Sequence, residues 1–277
     1  MHHSMEHHAH LLSRAHTYAD ELSKNEVLKL YWDRLSLILK GSTAKGYTDQ
    51  YSDIDFVIFT DSQAKDSIIS EYVKQNISQR KDGIFLPLGD WEGHYNIDTY
   101  ETLASHFTSL DMPYIWEYTQ VIIMHDAANR FENIINGHKN IRNHMDQLIR
   151  EKYLEIQLSL DWMRQPLRRA DKGASLLYGA SIQRCCCQIL FLFAAQPYPC
   201  DKWLFYCLDK LDVPFDLKTK VIHFHTAFNS LETIKPDLEL TAYDLYAKAS
   251  DLVDNIACML KGRYGTQQWI DEWYLYA

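Results

Sequence analysis

The feature that most constrains this chain is Asp53-Ile54-Asp55, set at the start of the run "IDFVIFT" (54–60). The run is apolar, β-branched and aromatic, which predicts a buried strand. On an extended chain residues i and i+2 share a face, so both carboxylates point one way while Ile54 points into the core. Like charges held that close are costly unless a cation lies between them, and Mg²⁺ with carboxylate, water and phosphate oxygens is the usual solution. Upstream, "LSLIL" (35–39) predicts a second short buried strand that runs through Lys40 into Gly41 and Ser42. Gly41 permits close backbone approach, and a helix starting at Ser42 or Thr43 would aim free N–H groups at a phosphate. Both parts point to a nucleoside triphosphate.

The rest of the first half reads as alternating elements. Apolar residues from Tyr18 to Leu35 recur at helical spacing, and "DSQAKDS" predicts a helix over about 64–75 capped by Asp61 or Ser62. "RKDG" (80–83) predicts a turn and "IFLPLG" a strand or loop. In "HYNIDTYE", Tyr95, Ile97 and Thr99 fall on one strand face and Asn96, Asp98 and Tyr100 on the other. "TQVIIMHD" (119–126) predicts the last strand. Beyond it helical patterns take over, at 129–148, 150–164, 173–195, 201–210, 216–230 and 238–261. The expected fold is therefore α+β: a mixed sheet with helices over residues 1–127, then a helical bundle over 128–277. No Gly/Ser or Pro-rich spacer separates them, so a cleft between packed halves is the expected place for ligands.

Composition narrows the partners. A formal charge of −9 argues against a nucleic-acid grip, which needs clustered Lys and Arg, and suits a cationic small molecule or a metal-bound nucleotide. The six cysteines include consecutive Cys185, Cys186 and Cys187 in an apolar helical pattern, with no CxxC or zinc spacing, as for reduced thiols. No apolar run reads as a membrane span and the His-rich start has no signal-peptide core, so the expected compartment is the cytoplasm and the first ten residues are expected to fray.

Gly-Ser, nine residues, then Ser-Asp-Ile-Asp-Phe, between apolar strands, resembles the nucleotidyltransferase signature of the DNA polymerase β superfamily. The resemblance implies that Gly41 and Ser42 hold the β and γ phosphates, with Ser52 beside them in the nucleotide-binding set. It implies that Asp53 and Asp55 bind two Mg²⁺ ions. It also implies a third carboxylate on a neighbouring strand, for which Asp98 is the counterpart and Glu92 and Glu101 are nearby substitutes. Asp98 would bind a metal and accept the acceptor's proton, unless a carboxylate of the second half is the base. The implied reaction transfers a nucleoside monophosphate, AMP first among them, from ATP or another NTP to a hydroxyl.

The helical second half is similar in layout to the aminoglycoside and lincosamide adenylyltransferases. "QRCCCQILFLFAAQPYPCDKWLFYCLDKL" resembles their second-domain segment, which implies that Lys202, and Arg184 after it, reach the triphosphate. A small-molecule acceptor of that antibiotic type would want carboxylates and aromatic faces, and Glu117 in "DMPYIWEYTQ" is the chosen substrate carboxylate. Two other classes compete: a transferase acting on protein or RNA hydroxyls, and a non-catalytic nucleotide binder of the same fold. Oligomeric state is not legible in the sequence.

Overall fold

The computed structural model describes residues 2–77, 86–90, 92–137 and 143–277, with the side chains of 2–5 excepted. The turn expected at 80–83 and the first part of "IFLPLG" lie outside them. The chain divides into two compact units, Met1–Asn140 and Ile141–Ala277.

The first unit is built on a five-stranded mixed sheet in the order β3-β4-β2-β1-β5, formed by β1 (Ser36–Lys40), β2 (Ile54–Thr60), β3 (Leu86–Leu88), β4 (Gly93–Thr99) and β5 (Ile122–Asp126). β2 and β4 run parallel, and the remaining pairs are antiparallel. Its helices are α1 (His2–Lys24), α2 (Gly41–Lys45), α3 (Ser62–Lys74), α4 (Tyr100–Thr108), α5 (Met112–Thr119) and α6 (Arg130–Gly137). This is the α+β fold that the sequence pattern predicted.

Alternation along the strands gives the sheet two different faces. Leu37, Leu39, Ile54, Phe56, Ile58, Tyr95 and Ile97 form one buried cluster with Leu11, Ala15, Tyr18 and Leu22 of α1 and Ile68 and Tyr72 of α3. Burying each large apolar side chain there stabilises the fold by roughly 1.5–3 kcal/mol. The opposite face carries Ser36, Ile38, Lys40, Asp55, Val57, Phe59, His94, Asn96 and Asp98. At one end of that face, the Phe59 ring meets Tyr100, Tyr118 and Phe131, which closes it with an aromatic plug. The other end carries Lys40, Asp55 and His94.

Three local details differ from the sequence reading. The start is helical: α1 runs from His2, and from Leu11 onward it is anchored by the stripe Leu11, Ala15, Tyr18 and Leu22 and by Arg14 and Tyr18 on Glu92. The stretch 18–35 is not one helix, because Asn25 Oδ1 accepts the N–H of Val27 and of Leu28, both at 3.0 Å. That side chain competes with the helical ladder and diverts the chain into a 3₁₀ turn, Leu28–Arg34. The first unit also continues past residue 127, since Asp126 accepts the N–H groups of Phe131 and Glu132 and so starts α6 against the sheet.

The second unit is helical: α7 (Met145–Trp162), α8 (Arg164–Arg168), α9 (Lys172–Phe193), α10 (Asp201–Asp209), α11 (Phe215–His223), α12 (Asp244–Tyr264) and α13 (Gln268–Asp271). α9 is its central helix. By length and composition α9 would be apolar enough to cross a membrane, contrary to the sequence reading, but most of its apolar residues, Ile182, Cys185, Cys186, Ile189 and Leu190 among them, are buried within the protein. Gly179 lets the Phe228 ring approach the helix, where a Cβ would lie 2.6 Å from that ring.

Candidate functional site

β1 delivers Lys40 and then Gly41, β2 begins at Ile54 between the two aspartates, and β4 begins at Gly93. The three chain ends therefore meet at one edge of the polar face. In the antiparallel β1–β2 pair Lys40 stands directly opposite Asp55, and in the parallel β2–β4 pair Asp55 stands beside His94. Gly93 fixes that second register, because a Cβ there would run into the Ile54 carbonyl.

The turn after β1 closes over Asp55. Gly41 has φ of +72°, the left-handed region that glycine enters without strain, and any Cβ on it would collide with the Asp55 carboxylate. Thr43 Oγ1 donates to the Asp53 carbonyl at 2.8 Å, which stitches α2 to the segment carrying the aspartates. Ser42 and Thr43 are buried. The backbone of the turn and the carboxylate pair are thus parts of one site.

His94 joins that pair. Its Nδ1 lies 3.4 Å from Asp53 Oδ2 and its Nε2 2.9 Å from Asp55 Oδ1. A neutral imidazole has one N–H, so only the imidazolium can donate to both carboxylates. Hydrogen bonds first to Asp53 and then to Asp55 outweigh the opposing effect of burial and raise its pKa to about 9. The imidazolium is the cation that lets two carboxylates stand this close.

The fit to a divalent ion follows from the same three groups, which offer ligand atoms within 4.8 Å of one another. Two carboxylates converging where a cation already balances them suit a hard divalent ion, and a neutral imidazole would add a nitrogen donor. Asp53 and Asp55 are the residues that would hold it.

The His94 arrangement has a consequence for stability. A folded-state pKa of about 9 lies above the ordinary 6.5, so the contribution of the charged ring is fully present below pH 6.5 and is lost as pH rises through 9. In urea unfolding without metal, the first unit should weaken by about 2 kcal/mol across that window, solvent screening included, and His94→Gln should flatten the slope. A slope unchanged in the variant would show that His94 does not carry it.

The other expected residues fall in different places. Asp98 is not brought to the aspartate pair: it stands beside Phe59, four residues further along β2 from Asp55, accepts the Thr99 N–H at 2.8 Å and pairs with Lys65 at 3.4 Å. At about 3.3 Å per residue that register separates the two backbones by roughly 13 Å, too far to share an ion. Glu92 is engaged at the sheet edge by Arg14 and Tyr18. Ser52 builds the turn before the pair, donating to Asp49 Oδ1 at 3.1 Å and accepting the Asp49 N–H at 2.9 Å. Glu117 lies at the site itself, its Oε1 3.1 Å from the Gly41 N–H and 3.7 Å from Lys40 Nζ.

In the second unit, Lys202 occupies the first turn of α10 with its ammonium over the Trp203 ring, and Arg184 of α9 reaches Asp201, the neighbour of Lys202, at 3.5 Å. The sequence reading missed His94 and Lys40. The alternation in "GHYNIDT" marks His94 as a residue of the Asp98 face, but only the β2–β4 register selects it over Asn96 and Asp98.

A search of curated proteins finds no match to the chain. Residues 22–102, which contain the Gly41-Ser42 turn, the Asp53 and Asp55 pair and His94, match the family model described as nucleotidyltransferase domain, and this supports a transferase activity with a nucleoside triphosphate as substrate.

Proposed function

We propose that the protein transfers a nucleoside monophosphate, AMP in the first instance, from an NTP to a hydroxyl of a small molecule of the aminoglycoside type, releasing pyrophosphate. The observation that carries the reading is the fit of Gly41 against Asp55, because it joins a glycine turn to a carboxylate pair with no room for a side chain between them.

In the reaction the acceptor oxygen forms a bond to the α-phosphorus, the bond from that phosphorus to the bridging oxygen breaks, and the acceptor's proton passes to a base. The N–H groups of the Gly41-Ser42 turn orient the phosphates, and Lys40 adds positive charge beside them. Asp53 and Asp55 would hold Mg²⁺, two ions in this reading, which would supply charge neutralisation for the phosphates and the leaving group. Asp98 has no part in it. Lys202 and Arg184 are proposed phosphate ligands: a lysine in the first turn of a helix opposes the helix dipole, and a phosphate partner relieves that misfit. A net charge of −9 favours a cationic acceptor over a nucleic acid, and an intracellular, cytoplasmic enzyme suits the free thiols.

The test is pyrophosphate release with Mg²⁺ from ATP, GTP, CTP and UTP against aminoglycosides, lincosamides and other polyhydroxylated molecules, with Asp53→Asn as the blank. Release above the blank with one nucleotide and one acceptor class is the expected result. Release with no small acceptor would sink the proposal and move the search to protein or RNA hydroxyls. Tight binding of ATP and Mg²⁺ without any turnover would instead describe a non-catalytic binder.

A further inference from the structure

Glu117 sits where, on the nucleotide reading, a phosphate belongs. Its carboxylate accepts the Gly41 N–H and faces Lys40, and its side chain is 22 % exposed. The backbone behind it is fixed. Lys45 of α2 donates to the Glu117 carbonyl at 2.7 Å and to that of Gln120 at 3.2 Å, with its ammonium 4.5 Å from the centre of the Trp116 ring. The end of α5 is therefore tied to the same turn that Glu117 touches, and only the side chain is free to change partners.

The charges at this spot explain the contact. Lys40 stands opposite Asp55 in the sheet and next to Gly41, and His94 is already shared by Asp53 and Asp55. Glu117 supplies an anion to both the Lys40 ammonium and the Gly41 amide. A phosphate oxygen makes the same two interactions, and it cannot share the single Gly41 N–H with a carboxylate without bringing like charges together.

We propose that Glu117 is an internal stand-in for a nucleotide phosphate. It holds the turn in shape when no nucleotide is present, and a triphosphate binds by displacing it from Gly41 and taking over Lys40. Glu117 thereby sets nucleotide affinity, and Lys40 becomes a phosphate ligand of the loaded protein. The inference rests on the nucleotide reading above.

The test is isothermal titration of the full chain with inorganic tripolyphosphate and with ATP, each with Mg²⁺, for the wild type, Glu117→Ala and Glu117→Asp. Glu117→Asp keeps the charge but shortens the reach by one methylene, so it also separates displacement from simple repulsion, and it carries the test if the alanine variant does not fold. Both variants should bind both probes about tenfold more tightly, the size of one charge-assisted hydrogen bond. Tightening in Glu117→Ala with Glu117→Asp at the wild-type value would overturn the proposal in favour of through-space repulsion. Weaker or unchanged binding in both variants would overturn it in favour of a purely structural pin. Binding of neither probe by any of the three proteins would remove the nucleotide reading itself, and the stand-in role with it.

Discussion

Replacing Asp55 by Asn should lower pyrophosphate release by about a thousandfold or more while the protein stays folded. The carboxylate is mostly buried, touches His94 at 2.9 Å and lies against Gly41, so it is the point at which the turn, the imidazole and its partner carboxylate meet. An amide keeps the shape but removes the charge, and several kcal/mol of charge stabilisation in the transition state correspond to about that factor. Asp53→Asn should fall in the same direction. Asp98→Asn is the control: its carboxylate caps the Thr99 N–H and pairs with Lys65 away from the site. That variant should retain turnover within about threefold and lose about 1 kcal/mol of stability, the typical worth of such contacts. A large loss in Asp98→Asn, with Asp55→Asn active, would reverse the assignment made from the sheet register.

The contrast between Asp98 and His94 shows where sequence reading reaches its limit. Local chemistry was legible. The strand over 54–60 has the bounds that its composition predicts, and Asp61 caps α3 by accepting the Ala64 N–H at 3.0 Å. The shared face of Asp53 and Asp55 follows from the two-residue period alone. What a period cannot supply is the offset between two strands joined by a long crossover. The alternation that puts Asp98 on the right face puts Asn96 and His94 there too, and the choice among them is made by Gly93 packing on the Ile54 carbonyl. Glu117 was legible as a carboxylate near the site, but its contacts were not. Its partners, Gly41 and Lys40, lie more than seventy residues upstream, and the Lys45 tether on α5 helps bring it to them. The helix break at Asn25 was hidden for a different reason, since a side chain that turns back on its own backbone leaves the apolar spacing around it intact.

Gly41→Ala should cost about 3 kcal/mol of stability and reduce turnover by about a hundredfold. Two effects combine. An L-residue at φ +72° carries a penalty of roughly 1–2 kcal/mol, and the added methyl must displace the Asp55 carboxylate, which then loses its position beside His94. Gly46 separates the two effects. It has nearly the same φ, +71°, where it ends α2, yet a Cβ there would meet nothing within 4 Å. Gly46→Ala should therefore cost only the conformational part, about 1 kcal/mol, and leave turnover close to wild type. Thermal melts and pyrophosphate release for the two variants check the difference. If both lose stability equally and both remain active, close packing of the turn on Asp55 is not what makes this site, and the observation behind the proposed function falls with it.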